Sequence, residues 1–216
     1  MIFRLIKDPF FPDPELSEED GLLAIGGDLS VQRLVNAYGS GIFPWYNEGT
    51  EILWWSPNPR FVIKMEDFTV RKSLRKFLLR SKYTVTFNKQ FEKVIRSCSK
   101  VERAGQDGTW IIEDMIRAYT KLHKKGYAIS VEVMDENELI GGLYGVILGK
   151  MFAGESMFSN REYASQVGFV ALYNVLKENG FHFIDCQVST DHLKQFGAKE
   201  IERKEFLKML KFAIES

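Results

Sequence analysis

Phe181-His-Phe-Ile-Asp-Cys-Gln-Val188 is the stretch on which the reading of this chain turns. It is apolar and β-prone, yet Asp185 and Gln187 stand in its middle. Residues at i and i+2 of an extended strand share a face. The pattern therefore predicts a carboxylate and an amide side by side on a buried segment. An unpartnered polar group in an apolar interior costs roughly 2–7 kcal/mol. Either Asp185 is a satisfied buried acid that ties two loops together, or the pair belongs to a functional site.

Upstream, the pattern predicts a helix over 164–178, ended by Gly180. Before it come three strands, 127–134, 139–148 and 151–157, joined by the tight turns Asp135-Glu-Asn-Glu138 and Gly149-Lys150. Short turns make antiparallel neighbours, while a helical crossover returns the chain to a parallel strand. The fold class is therefore α/β (α+β), a mixed sheet with flanking helices. Where the pairing changes direction the strands can splay and leave a cleft, and the Asp185 strand follows the crossover directly.

Working outward, helices are expected over 70–80, capped by Thr69, over 88–97, capped by Asn88, and over 112–125. A strand is expected over 83–87, a short helix near 191–195, an extended 198–201 and a last helix over 204–215. The segment 101–108 is polar and Gly-containing. Residues 1–65 are rich in Pro, Gly and aromatics with little regular periodicity, and within them Ser30 caps a helix over 31–38. Residues from about 85 to 216 read as one mixed α/β domain.

The chain has 216 residues, 45% hydrophobic and 27% charged, with 29 basic and 29 acidic residues and a formal net charge of zero. Any attraction to nucleic acid must therefore be local. No apolar run approaches the roughly 20 residues needed to cross a bilayer, and Asp8 and Pro9 come too early for a signal sequence. Cys98 and Cys186 suggest no disulfide framework. The expectation is a protein of the reducing cytoplasm, with no membrane contact.

Three constellations carry chemistry. Gly154-Glu-Ser-Met-Phe-Ser159 places a second carboxylate, Glu155, in an apolar strand; it reads as a site residue or as an acid tying a loop. Ser156 lacks the Gly-x-Ser-x-Gly elbow of a serine hydrolase. Arg71, Lys72, Arg75, Lys76, Arg80 and Lys82 form a basic helical run, with 72, 76 and 80 in one i, i+4 row. It is a solvated face or a phosphate contact. Phe43-Pro-Trp45, Trp54-Trp55 and Gly108-Thr-Trp110 place aromatics in or beside loops, either as core or as stacking platforms for bases. Phosphate-loop and dinucleotide fingerprints and metal spacings are absent from the sequence.

Together these segments resemble the bacterial leucyl/phenylalanyl-tRNA–protein transferases. The resemblance rests on Gly21-Leu-Leu-Ala-Ile-Gly-Gly-Asp-Leu29, Gly41-Ile-Phe-Pro-Trp45, Ile52-Leu-Trp-Trp-Ser-Pro-Asn-Pro-Arg60, Gly108-Thr-Trp-Ile111, Gly141-Gly-Leu-Tyr-Gly145, Gly154–Ser159 and Ile184-Asp-Cys-Gln187. It implies a small N-terminal domain, residues 1–65, followed by an acetyltransferase-like (GNAT) catalytic domain, residues 66–216. It also implies transfer of Leu or Phe, and Met as well, from aminoacyl-tRNA to the N-terminal Arg or Lys of proteins, marking them for N-end-rule degradation. No cofactor is implied, and the expected state is a monomer.

By the same resemblance, Asp185 accepts a proton or polarises Gln187, Gln187 holds the amine or ester, and Glu155 pairs with the cationic acceptor. The amino-acid pocket maps onto Leu143, Phe152, Met157, Phe169, Leu172, Leu176 and Ile184. Trp45 and Trp110 fall at the terminal adenosine, and Arg71, Lys72, Arg75, Lys76 and Arg80 at acceptor-stem phosphates. Simple alternation puts Phe152 and Met157 on opposite faces, so a bulge is expected between them, at Gly154. Two rival readings are a CoA-dependent acetyltransferase, whose Gly-rich pyrophosphate turn is missing from 159–168, and a non-catalytic tRNA- or peptide-binding module.

Overall fold

The computed structural model describes residues 2–101 and 109–216, so most of the polar 101–108 segment lies outside the described residues. Two sheets organise the chain. The smaller is built from β1 (Phe3–Leu5), β2 (Leu22–Gly26), β3 (Phe43–Pro44) and β4 (Leu53–Trp55), in the order β1-β2-β4-β3. Helix α1 (Val31–Gly39) separates β2 from β3, and the Ser30 hydroxyl caps it by accepting from Arg33 N. Sequence reading leaves Phe43-Pro44 in a loop; here it pairs with Trp54-Trp55.

The larger sheet takes β5 (Arg60–Lys64) first. After α2 (Lys72–Leu78) come β6 (Thr84–Phe87), α3 (Phe91–Cys98), α4 (Glu113–Lys124), β7 (Ala128–Asp135), β8 (Glu138–Leu148) and β9 (Met151–Ser159). Crossover helix α5 (Ala164–Glu178) leads to β10 (Phe183–Gln187), followed by α6 (Asp191–Lys194), β11 (Lys199–Ile201) and α7 (Arg203–Glu215). The seven strands lie in the order β11-β5-β10-β9-β8-β7-β6. β7, β8 and β9 form the expected antiparallel meander, and β10 runs parallel to β9 after the crossover. By sheet membership the chain divides between β4 and β5.

Sequence reading lacked β1 and β2 of the smaller sheet and, in the larger sheet, strand β5. Strand β5 follows a proline-rich turn, and it pairs antiparallel with β10 on one side and β11 on the other. Two helix starts also move. Thr69 gives its hydroxyl to Gln195 O, so α2 begins later, with Arg71 at its N-cap. Asn88 takes a left-handed φ of 60° and accepts from Ser130 N, while the buried Glu132 carboxylate accepts from Lys89 N and Gln90 N ahead of α3.

The large sheet is covered on both faces. Helices α1, α3, α4 and α7 pack one side through Tyr38, Ile95, Tyr119 and Phe206; α5 and α2 pack the other through Phe169, Leu172 and Leu74. At the β8–β9 turn a Cβ on Gly149 would stand 2.2 Å from Ala213 O, so only glycine lets that turn seat against α7. Among the described residues no helix is long and apolar enough to cross a membrane.

Candidate active site

The pairing of β9 with β10 ends at Ala153–Asp185, yet β9 runs on to Ser159. The two strands part there, and a cavity of about 570 Å³ opens at the fork. Each strand carries a bulge just past the last pair. On β9 the register jumps from Tyr144–Ser156 to Gly145–Gly154, leaving Glu155 as the extra residue. On β10 it jumps from Asp185–Val62 to Gln187–Phe61, leaving Cys186 extra. Bulges re-aim side chains. The first puts Phe152 and Met157 on the same cavity, as the sequence required, although the inserted residue is Glu155, next to Gly154.

The second bulge separates Asp185 from Gln187. Asp185 is 1% exposed and does not line the cavity; it turns to Arg60. Arg60 Nε donates to Asp185 Oδ1 at 2.8 Å and its terminal nitrogen to Oδ2 at 2.7 Å. The guanidinium also donates to Gly41 O and lies between the Phe43 and Phe206 rings. Oδ1 further accepts from Gln187 N at 2.9 Å. Gln187 has a left-handed φ of 62°, a conformation that costs a non-glycine residue about 1–2 kcal/mol, and this hydrogen bond offsets that strain. Arg60, which sequence reading did not single out, thus holds Asp185, and Asp185 holds the backbone turn that sends Gln187 into the cavity.

Gln187 Nε2 donates to Glu155 Oε1 at 2.8 Å, and the Tyr38 hydroxyl donates to the same oxygen at 2.7 Å. Tyr38, on α1, is hydrogen-bonded in turn to the Tyr119 hydroxyl of α4. Burial pushes the Glu155 carboxyl up to about 7, the hydrogen bonds from Tyr38, Tyr119 and Gln187 pull it back, and the nearby Asp185 charge adds to the rise. Burial, followed by the neighbouring Glu155, holds both phenols well above their usual range. A carboxyl poised near neutrality at a cavity wall is suited to proton transfer. Neither tyrosine carries a local signal of its role in the sequence.

Of the expected pocket, Leu143, Phe152, Met157, Phe169 and Ile184 line the cavity, joined by Cys186, Leu193 and His192. Burial pushes the Cys186 thiol up and the His192 imidazole down, so both stand neutral in the wall. Leu172 and Leu176 do not line it; they sit in the core behind, on α5. Trp45 and Trp110 both line the cavity with Phe43 and Pro44. Trp45 is 38% exposed, and its carbonyl accepts from Trp55 Nε1. Arg71, Lys72, Arg75, Lys76 and Arg80 are exposed on and beside α2, outside the cavity wall. Among the described residues no group of three or more His, Cys, Asp or Glu side chains could hold a metal ion.

The profile of the leucyl/phenylalanyl-tRNA protein transferase family matches residues 62–211, and that of its N-terminal domain matches 27–58. The leucyl/phenylalanyl-tRNA–protein transferase of Maridesulfovibrio salexigens is 53% identical over 216 residues, covering 100% of this chain and 90% of the relative. That of Syntrophobacter fumaroxidans is 52% identical, covering 97% and 89%. That of Flavobacterium johnsoniae is 50% identical, covering 97% and 99%. Among solved structures the chain is similar to L-PGS from Bacillus licheniformis, at 15% identity and a TM-score of 0.44 over 62% of this chain and 48% of the other.

Proposed function

Since this chain belongs to the leucyl/phenylalanyl-tRNA–protein transferase family, we propose a route by which its own residues carry out that family's reaction. The chain is an aminoacyltransferase that takes Leu or Phe from aminoacyl-tRNA and joins it to a protein. The aminoacyl ester is already activated, so the route draws on no nucleotide and no cofactor.

The donor side chain lies among Leu143, Phe152, Met157, Phe169 and Ile184, with Leu172 and Leu176 backing the wall. Met fits this lining too. Trp45 and Trp110 stack on the terminal adenosine. The basic face of α2 meets acceptor-stem phosphates, which position the tRNA without reading its sequence. The acceptor is a protein with N-terminal Arg or Lys.

An α-amine has a reference pKa of about 7.7–8.0, close to the value of about 7 for Glu155. Glu155 takes the proton from the acceptor's α-ammonium. The freed lone pair attacks the ester carbonyl. As the tetrahedral intermediate collapses the C–O bond breaks, the nitrogen gives up its second proton to the tRNA 3′-oxygen, which leaves as a hydroxyl, and Glu155 releases its own proton to solvent. Gln187 holds the Glu155 carboxylate and aligns the reacting groups by proximity. Asp185, with both oxygens engaged by Arg60, acts through Gln187 as a positioning residue. The product carries a new N-terminal Leu or Phe, which directs it to N-end-rule degradation in the cytoplasm, and the chain works as a monomer.

The observation that carries this route is the Gln187–Glu155 hydrogen bond at the fork of β9 and β10, in the wall of an apolar cavity. The test is transfer of radiolabelled Leu from leucyl-tRNA to a peptide with N-terminal Arg and to one with N-terminal Ala, without ATP or CoA. Label on the Arg peptide alone is expected. Label on neither, with acetyl-CoA then supporting transfer, overturns the reading.

A further inference from the structure

Gly154 stands opposite Gly145 on β8, one residue beyond the last β9–β10 pair, in the crotch of the fork. The two glycines differ in the room they leave. A Cβ on Gly145 would lie 2.2 Å from Ala153 O and 2.3 Å from Phe152 Cζ, so the Phe152 ring already fills the space over Gly145. A Cβ on Gly154 would meet Phe152 Cε1 at 3.7 Å and Asp185 O at 3.8 Å, both ordinary contacts. Nothing else among the described residues stands within 4 Å apart from its chain neighbours, and its φ is not left-handed. Gly154 and Phe152 both line the cavity, and Phe152 Cε1 is the side-chain atom that Cβ would meet. Gly154 also adjoins Glu155, whose carboxylate meets Gln187 across the fork.

We propose that Gly154 sets the width of the neck between the reacting ester and the apolar cavity, its bare Cα admitting aminoacyl side chains that branch at Cγ. The inference rests on the transferase reading and deepens it. Leu carries two methyls at Cγ and Phe begins its ring there, whereas Met passes the same point as an unbranched methylene. A methyl group added at the neck therefore opposes Leu and Phe more than Met.

The test is Gly154→Ala, assayed for transfer from leucyl-, phenylalanyl- and methionyl-tRNA to the Arg-terminated peptide. One methyl group in a fitted apolar pocket changes discrimination by about 10-fold or more. Relative to wild type, kcat/KM for Leu and for Phe is expected to fall by about that factor against Met. An equal change for all three donors, or no change, overturns the proposal. So does an insoluble variant, because the room beside Gly154 would then not exist. Wild type that takes Leu but never Met also overturns it, since a neck wide enough for Leu must pass Met. Wild type that transfers none of the three removes the transferase reading itself, a distinguishable failure.

Discussion

Gln187 Nε2 and Glu155 Oε1 stand 2.8 Å apart, joining two strands just after those strands cease to pair. The hydrogen bond takes over where the backbone ladder stops. It needs both bulges: one brings Glu155 round on β9, the other swings Gln187 off the face that Asp185 occupies.

Replacing Glu155 with Gln keeps the hydrogen-bonding shape and removes the base. Transfer is expected to fall by about 10²–10⁴-fold. In wild type, kcat/KM rises with pH through about 7 as Glu155 ionises; in Glu155→Gln that inflection disappears. A pH–rate profile with the inflection intact in the variant would show that Glu155 is not the base.

The same shift makes a stability prediction. The folded value of about 7 lies above the ordinary 4.5, so the folded state holds a proton more tightly than the unfolded chain. That stabilisation is complete below about 4.5 and is lost as pH rises through about 7. Denaturant unfolding should therefore show wild type losing on the order of 2 kcal/mol between pH 5 and pH 8 relative to Glu155→Gln, allowing for the site's partial exposure.

Tyr38 tests how the small N-terminal part serves the site. Its hydroxyl lowers the Glu155 value by favouring the carboxylate. Tyr38→Phe is expected to move the kcat/KM inflection upward, leaving less active base at pH 7, and to cost about 1 kcal/mol of stability. A drop in rate with an unmoved inflection would make Tyr38 a packing residue only.

Sequence alone showed the meander, the crossover and the fork, because short turns and helical periodicity are local. The resemblance put Phe152 and Met157 in one pocket, and strand alternation then required a bulge between them. The remainder depended on contacts between distant residues. Arg60 and Asp185 are 125 positions apart, and Tyr38 and Glu155 are 117 apart. Strand β5 has no periodicity that outweighs its Pro-rich approach, and becomes a strand by pairing with β10. The same-face reading of Asp185 and Gln187 fails because Cys186 is bulged out, and no residue type announces a bulge there.

Asp185 separates base from positioning residue. Removing one partner of a buried ion pair costs about 3–5 kcal/mol, so Asp185→Asn and Arg60→Met should each lower the melting temperature by several degrees. Both should slow transfer, because the Gln187 turn loses its anchor. The inflection near 7 should persist in both, since Glu155 remains. Its disappearance in Asp185→Asn would return the role of base to Asp185.

Trp110 and the α2 face should fail in different ways if both touch tRNA. Stacking one base on an aromatic ring contributes about 1–3 kcal/mol, so Trp110→Ala should raise KM for leucyl-tRNA about 5- to 150-fold at fixed salt. Stacking displaces no counterion, so the salt dependence of binding should be unchanged. Lys72→Ala with Lys76→Ala removes two exposed charges from one row of the helix. Each lost phosphate contact lowers the slope of log K against log salt by about 0.7–0.9, so the pair should reduce it by about 1.5 while leaving the donor preference alone. Binding titrations at several salt concentrations distinguish the two. A slope unmoved by the lysine changes would leave α2 as a solvated face, with basic residues in its last turn serving only the helix dipole.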